Sequence, residues 1–267
     1  MKPSLALASL LLAACALACA QESTGGRVVV PARNTSHPRV VNATVHNGSI
    51  SVKTYSGNEV IVETGRPDEA RARAGGAPAG MKRIDLPRGL DVEEEDNVIT
   101  VRSHPGGSAH LAITVPTDTS LNLKSFNGSI TVEGVHGEVD ASSHDGPITL
   151  ANVSGTVVAN AFNGALKVAM DGVDPAKPMS FSTFNGPIDV TFPADFKANL
   201  KLKTNHPDIF SDFDIKLAGG HPITEKNNTP DGKFRLRTDQ TIYGEINGGG
   251  AEVSFHSFNA RIVIRKK

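Results

Sequence analysis

The sequence predicts an all-β protein that folds as a parallel β-solenoid, a coil of short strands stacked on one another. A short motif of alternating apolar residues after a turn recurs six times, and the glycines at 128, 137, 146, 155 and 164 lie nine residues apart. The 267 residues include 26 glycines but no tryptophan and only two tyrosines. That composition suits many short strands and tight turns better than a helical bundle.

The six repeats share one order: Phe or His, Asn or Asp, Gly, any residue, an apolar residue, any residue, and a second apolar residue. The apolar residues stand two apart, which places both on one face of a strand. Asn-Gly and Asp-Gly adopt positive φ readily and so form tight turns. The repeats span 46–52, 126–132, 144–150, 162–168, 184–190 and 258–264, and the last has Ala260 in place of glycine. The predicted turn and ladder residues are Asn47, Gly48, Phe126, Asn127, Gly128, His144, Asp145, Gly146, Phe162, Asn163, Gly164, Phe184, Asn185, Gly186, Phe258 and Asn259.

Two kinds of turn alternate along the chain, so the full period is eighteen residues. Asn-Gly or Asp-Gly turns alternate with the turns at Gly137 and Gly155. In a solenoid each coil would contribute two strands, and coils would stack about 4.8 Å apart. Equivalent residues would then form ladders: an aromatic one of Phe126, His144 and Phe162, and a polar one of Asn127, Asp145 and Asn163.

An antiparallel β meander or sandwich is the alternative architecture, with each Asn-Gly as a hairpin turn. It would leave the apolar face uncovered, and no amphipathic helix is evident to cover it. The solenoid is therefore favoured.

The remainder of the chain predicts further strands and one mobile loop. The segment 65–80 is rich in Gly, Ala, Arg and Pro without alternation, which is typical of a loop. No linker divides the chain, so residues 21–267 are predicted to form a single domain. Further strands are expected at 27–30, 39–45, 59–63, 98–102, 111–115 and 121–124, near 200–203 and 212–217, and at 234–237 and 252–255.

Residues 1–20 have the pattern of an export signal. Lys2 precedes an apolar run over 5–14, a length typical of a signal peptide and too short to span a bilayer. The run ends in a lipobox-like sequence at Cys15, which would then be lipidated; cleavage after Ala20 is the other route. The predicted location is the periplasm, the outer membrane as a lipoprotein, or the cell surface. Any membrane contact would be made only through the N-terminal lipid.

Candidate chemical sites are few, and no catalytic, cofactor or metal site is predicted. Both cysteines lie within residues 1–20, and no histidine pair has zinc-protease spacing. The repeat lacks the regular Asp of a calcium-binding β-roll, since Asp145 and Asp189 stand alone in their columns. Ser143 lies near Asp145 and His144, but it shares its column with Ser125, Ala161, Thr183 and Ser257. A small residue flanking the turn explains Ser143 better than a nucleophile. With 27 basic and 28 acidic residues, no nucleic-acid partner is expected.

The repeats, the alternating glycine turns and the ending over 244–250 and 257–267 resemble the DUF4097 family of β-strand-repeat proteins. The resemblance begins near residue 40 and is densest over 121–190 and 244–267. It implies a solenoid-like fold, a surface or periplasmic location and an adhesin-like or envelope-stress role. It implies no catalytic residues.

Three functional hypotheses follow. The first is a non-enzymatic envelope protein that acts as an adhesin-like or scaffold module, with an unknown protein or polysaccharide as its ligand. The second is an accessory of envelope-stress sensing, anchored to the membrane through Cys15. The third is a carbohydrate-active enzyme with a pair of carboxylates such as Asp208 and Asp212. The phenylalanine ladder could stack on sugars, but its regular spacing favours internal packing.

Overall fold

The structure, a computed structural model, describes residues 27–33, 37–65, 90–103, 109–205, 208–218, 224–228, 234–238 and 241–267. The predicted export signal with Cys15, and the predicted loop over 65–80 apart from Gly65, lie outside these residues. A single domain over 21–267 stays a prediction.

The described residues form strands joined by turns, without a helix. In chain order the strands are β1 (Arg27–Val30), β2 (Arg39–Asn47), β3 (Ile50–Tyr55), β4 (Val60–Gly65), β5 (Leu90–Glu95), β6 (Val98–Ser103), β7 (His110–Pro116), β8 (Thr119–Asn127), β9 (Ile130–Glu133), β10 (Glu138–Asp145), β11 (Ile148–Ala161), β12 (Leu166–Val173), β13 (Met179–Thr183), β14 (Ile188–Phe192), β15 (Ala198–Thr204), β16 (Ile209–Ser211), β17 (Ile215–Leu217), β18 (Thr224–Asn228), β19 (Phe234–Thr238), β20 (Thr241–Ile246), β21 (Glu252–Ser257) and β22 (Ile262–Lys266).

Hydrogen-bonded strands make up two faces of the solenoid. Face one runs β1-β4-β7-β3-β9-β11-β12-β14-β22-β16. Face two runs β5-β6-β2-β8-β10-β11-β13-β21-β15-β20-β17. Strand β11 belongs to both faces, because it turns the corner between them near Asn152 and Gly155, at φ 52° and 106°. Strands β18 and β19 form a separate antiparallel hairpin.

Parallel, in-register pairing of the repeats confirms the predicted solenoid. Val139 of β10 aligns with Leu121 of β8 on one side and with Val157 of β11 on the other, a spacing of eighteen residues in each direction. The meander alternative is wrong for the repeats. Among the described strands, and apart from the β18–β19 hairpin, antiparallel pairs occur only towards the two ends of the stack, where β4, β5, β15 and β20 take part.

The inward side chains of both faces form one apolar core. The predicted inward residues after each glycine are buried, Ile130, Ile148 and Leu166 among them. The core changes in bulk along the axis: face two contributes Ala141 and Ala159 in the middle coils, then Phe181 and Phe255. Further phenylalanines pack near Phe181: Phe192 stacks on Phe196 at 4.0 Å, and Phe213 meets Phe196 edge-on.

Order in space departs from order in sequence at two places. The coil of β2 and β3 lies between that of β6 and β7 and that of β8 and β9. The last coil, β21 and β22, lies between β13 and β14 on one side and β15 and β16 on the other. The coils on the outer side of these two displaced coils, β6 with β7 and β15 with β16, lack the repeat motif.

A strand was expected near 212–217, and β17 forms the second half of that range. The first half, Asp212–Asp214, is a turn between β16 and β17. The turn is fixed by Ser211, whose hydroxyl accepts the backbone N–H of Phe213 at 3.0 Å. Two short strands therefore join different faces.

Glycine is required at the corners mainly because coils approach closely there. A Cβ on Gly128, Gly146, Gly164 or Gly186 would lie 1.9–2.2 Å from the carbonyl oxygen of the equivalent glycine one coil earlier. The Asn-Gly and Asp-Gly pairs predict positive φ at these glycines, but among the glycines of this corner only Gly48 and Gly128 have positive φ. The second corner is similar, because a Cβ on Gly137 would lie 2.4 Å from the Thr119 carbonyl oxygen. The backbone of one coil thus occupies the space that a side chain would need on the next.

We expect Gly164→Ala to lower the free energy of unfolding by about 1–3 kcal/mol or more, because the new methyl group must displace backbone. Urea unfolding followed by far-ultraviolet circular dichroism would measure the change. Gly172→Ala is the matched control, since a Cβ there meets only Ser154 at 3.4 Å and φ is not positive. The control should be neutral or slightly stabilising. Equal losses in both variants would contradict this account of the corner.

Candidate functional site

Six rings form a continuous aromatic ladder along one corner of the solenoid. His46, Phe126, His144, Phe162, Phe184 and Phe258 stack in that order, with centroids 4.7–5.1 Å apart and planes within 16° of parallel. The spacing matches the distance between neighbouring strands, so each coil contributes one ring. Stacked pairs of this kind contribute about 0.5–1.5 kcal/mol each beyond area burial.

The ladder exposes ring edges rather than ring faces. Phe126, Phe162 and Phe258 are 45%, 44% and 40% exposed, although each stacks on a neighbour. A sugar stacks on the face of an aromatic ring, and here neighbouring rings cover the inner faces. The edge of an aromatic ring carries positive potential. The exposed ladder therefore favours contact with oxygen acceptors and anions over stacking on sugars.

A ladder of side-chain amides runs beside the rings, at the turn. The Nδ2 groups of Asn127, Asn163, Asn185 and Asn259 each donate to the side-chain oxygen one coil earlier, at 2.7–2.8 Å. Amides suit this arrangement because each carries both a donor and an acceptor. All of these bonds point towards the N-terminal end of the stack.

Asp145 interrupts the amide ladder. Its carboxylate accepts from Asn163 at 2.7 Å and lies 3.2 Å from Nδ1 of His144, but an ionised carboxylate has no proton to donate to Asn127. The hydrogen bonds from Asn163 and His144 lower the pKa of Asp145 below its usual value. The ladder thus carries one negative charge, held next to a histidine of the aromatic ladder.

A buried column of hydroxyls anchors the turns from inside. The hydroxyls of Ser125, Ser143 and Thr183 donate to the carbonyl oxygens of Gly48, Gly128 and Gly164 at 3.1–3.2 Å. Ser143 is 3% exposed and satisfied by this bond, as a structural residue would be.

The last turn, which has Ala260 in place of glycine, differs in these bonds. Its hydroxyl, Ser257, donates to the carbonyl oxygen of Ala260 in the same turn at 2.7 Å, and not to the preceding coil. A methyl group at 260 thus coincides with loss of the coil-to-coil bond that the turns at Gly128, Gly146 and Gly186 share.

A groove of about 670 Å³ lies beside the N-terminal part of the aromatic ladder. Its floor and walls come from outward side chains of face two, stacked in register: Arg102, Thr44, Lys124, Ser142 and Asn160. Four ladder residues, His46, Phe126, His144 and Phe162, form the other side. We call this the ladder groove.

Positive charge and unpaired polar groups characterise the ladder groove. Arg102 and Lys124 line it, and none of the described lining residues is Asp or Glu. Arg102 has two acidic neighbours on β5, both outside the lining: Glu93 at 3.8 Å, and Asp91, its partner in the strand pairing. The Oγ atom of Ser103, also in the wall, is shielded from solvent and has no hydrogen-bond partner in the described part of the chain. Buried hydroxyls normally have partners, so Ser103 is suited to bonding a ligand or a water molecule.

Other candidate sites turn out to have structural bonds. Asp189, considered for calcium, forms a bidentate ion pair with Arg265 at 2.8 and 3.0 Å. Asp212, considered as a glycosidase carboxylate, accepts the backbone N–H of Lys266 at 3.4 Å. Within the described ranges, no group of three or more His, Asp or Glu side chains could hold a metal ion. Nor does that part of the chain contain a long apolar helix able to cross a bilayer.

The predicted ladder residues are brought together at one corner, whereas the groove beside them was missed. Lys124, Ser142 and Asn160 are eighteen residues apart and could have been aligned from the period. Arg102 and Ser103 belong to a coil without the motif, and no sequence signal places them next to Thr44 and Val45.

A family model and solved structures are similar to this chain. The family model described as Toastrack DUF4097 matches residues 28–242. A solved structure of a candidate cell adhesion protein from Clostridium sporogenes has 9% identity and a TM-score of 0.44, and covers 91% of this chain and 100% of its own. A candidate adhesin from Bacteroides fragilis has 9% identity and a TM-score of 0.28, and covers 91% and 98%. Likeness at this level carries no argument about function. No curated protein matches the sequence.

We expect Asp145→Asn to remove one source of acid sensitivity. The pKa of Asp145 is lower in the folded chain than in the unfolded one. Its carboxylate therefore stabilises the fold at pH above its ordinary value near 4, and that stabilisation is lost as the pH falls through the folded pKa. The variant should lose less stability than the wild type as the pH falls from about 5 to about 2.

Urea unfolding at a series of pH values would test this, with Asp118→Asn as the control. Asp118 lies in a turn, and the described structure contains no side-chain hydrogen bond to it. Parallel pH curves for the wild type and Asp145→Asn would contradict the proposed role of this carboxylate.

Proposed function

We propose that this chain, which belongs to the Toastrack DUF4097 family, is a non-enzymatic binding module of the bacterial cell envelope whose ladder groove holds an acidic polysaccharide. The family match confirms the resemblance noted in the sequence. The observation that carries the proposal is the lining of the groove: two cations, several hydroxyl and amide groups, aromatic edges, and no carboxylate among the described lining residues.

Charge and shape both support an acidic polymer as the ligand. Arg102 and Lys124 can pair with carboxylates, and Arg can do so with two hydrogen bonds. Ring edges of Phe126 and Phe162 add favourable positive potential. Each coil along the solenoid axis adds one outward side chain to the lining, so the groove is extended. An extended chain with repeating acidic groups therefore fits it better than a small compact ligand.

The same lining favours binding over hydrolysis. Glycosidases require two carboxyl groups on either side of the scissile bond. No carboxyl group lies among the described residues that line the groove. The hydroxyl of Ser143 donates to the carbonyl oxygen of Gly128 in a turn. An exported module that binds envelope polysaccharide without cleaving it is the adhesin-like role that we propose.

We expect the protein to bind an oligogalacturonate more tightly than a neutral maltooligosaccharide of equal length. Binding should weaken with added salt, because exposed charges are screened. Lys124→Glu should weaken oligogalacturonate binding by about fivefold or more, since it replaces attraction with repulsion inside the groove. Isothermal titration calorimetry would measure these affinities.

Lys167→Glu is the matched control for that experiment. Lys167 is an exposed lysine on strand β12 of face one, outside the groove lining. It receives the same charge reversal and should change affinity little. Equal binding of acidic and neutral sugars, or equal losses from Lys124→Glu and Lys167→Glu, would refute the proposed site.

Anchoring through Cys15 is the part of the proposal that rests on sequence alone. We expect the protein purified from its native envelope to begin at a lipid-modified Cys15, because a lipobox-like sequence precedes that residue. Intact-mass spectrometry would detect the added acyl chains, and Cys15→Ala should abolish them. An unmodified chain that begins at Gln21 would instead indicate a soluble exported protein.

A further inference from the structure

The last two strands fill a slot inside the stack. Strand β21 lies between β13 and β15 on face two, and β22 lies between β14 and β16 on face one. The coils on either side of this slot are consecutive in sequence, since only residues 193–197 separate β14 from β15. The chain therefore leaves a gap one coil wide and fills it with its C-terminal segment.

Backbone pairing makes the segment a bridge between the two parts of the solenoid. On face two, β21 aligns five residues with β13 and six with β15. On face one, β22 aligns five residues with β14 and three with β16. Among the described strands, β13 has no pairing with β15, and β14 has none with β16. Removing the segment would leave unpaired edges on both sides of the gap.

Side chains fix the segment in one register. Val253, Phe255, Ile262 and Ile264 are buried, each at most 1% exposed. Phe255 stacks on Phe181 at 5.1 Å, and Phe258 completes the aromatic ladder. At its end, Arg265 pairs with Asp189, and Lys267 pairs with Asp171 at 2.6 Å. These contacts specify the segment by apolar fit and by charge.

A glycine-rich connection joins the segment to the rest of the chain. Asn247, Gly248 and Gly249 all have positive φ, between 50° and 88°. Only Gly248 has open space around it; Asn247 Nδ2 donates to the carbonyl oxygen of Phe196 at 2.7 Å, and Asn199 Nδ2 donates to that of Gly250 at 2.6 Å. Three consecutive residues with positive φ make this connection the hinge about which the segment would reorient on exchange.

We infer that the gap is a strand-addition site, and that the C-terminal segment 250–267 of one copy of this chain can fill the gap of a second copy. The segment would make the same contacts in the gap of a second copy as it makes in its own. This equivalence is the condition for exchange of an element between identical protomers. Parallel pairing on both sides fixes the direction of the incoming segment. This inference is independent of the ladder groove and of any sugar ligand.

Two variants of the chain would test it, each with one introduced cysteine and with Cys15 and Cys19 replaced by serine. Oγ of Ser180 and Oγ of Ser254 lie 3.0 Å apart on neighbouring strands of the outer surface. When Ser180→Cys protein is mixed with Ser254→Cys protein, insertion of one copy's segment into the other brings these two positions together, so a disulfide should form more often than by random encounter. We expect a covalent heterodimer of twice the single-chain mass after mild destabilisation, refolding and oxidation.

The matched control mixes Ser180→Cys with Ser142→Cys, another substitution on the outer surface of face two. It measures disulfides formed by random encounters. A synthetic peptide of residues 250–267 should suppress the heterodimer, and the same peptide with Phe255→Asp should not. Heterodimer yield no higher than the control, or unaffected by the native peptide, would overturn the inference.

Discussion

The structure depends on how closely successive coils approach at the glycine corner. There the carbonyl oxygen of one glycine occupies the place where the next glycine would carry a Cβ. This contact brings the turns to the same spacing as the strands, so that each side chain lies directly over its equivalent. The aromatic ladder, the amide ladder and the hydroxyl column all follow from that alignment. Each ladder then suits its position: rings stack, amides both donate and accept, and small hydroxyls bond the turn carbonyls.

Stacking of similar side chains in successive coils also determines which chemical groups the surface presents to a ligand. Rings that cover one another expose only their edges, which changes the kind of ligand that the corner favours. Charges cannot be repeated in the same way, because like charges at this spacing repel. The outward column beside the ladder accordingly mixes Lys124 with Ser142 and Asn160. The ladder groove is therefore positive without being a continuous row of cations.

The fold was predictable where the signal is local and repeated. Glycines nine residues apart, each followed by alternating apolar residues, fix the strands, the corner and the inward set, Ile130 to Val168 among them. The placement of β21 was not predictable, because its pairing with β13 joins residues 74 positions apart and the motif carries no information about order in space. The groove was missed for a related reason: Arg102 comes from a coil that the repeat does not describe. Glycine's role was predicted from turn conformation, whereas at Gly146, Gly164 and Gly186 the space for a side chain is what is lacking.

The two displaced coils also limit how such a chain can change in length. Antiparallel strands lie towards both ends of the stack, and the coils beside them lack the repeat motif and pair with segments from elsewhere in the chain. New coils added beyond either end would have to replace these strands. Residues 119–173, by contrast, form coils that follow one another directly and contact only their neighbours. Duplication of one eighteen-residue unit there would lengthen the aromatic ladder by one ring and the adjoining surface by about 4.8 Å. The middle of the solenoid is thus where gain or loss of repeats could adjust the reach of the protein while both ends stay intact.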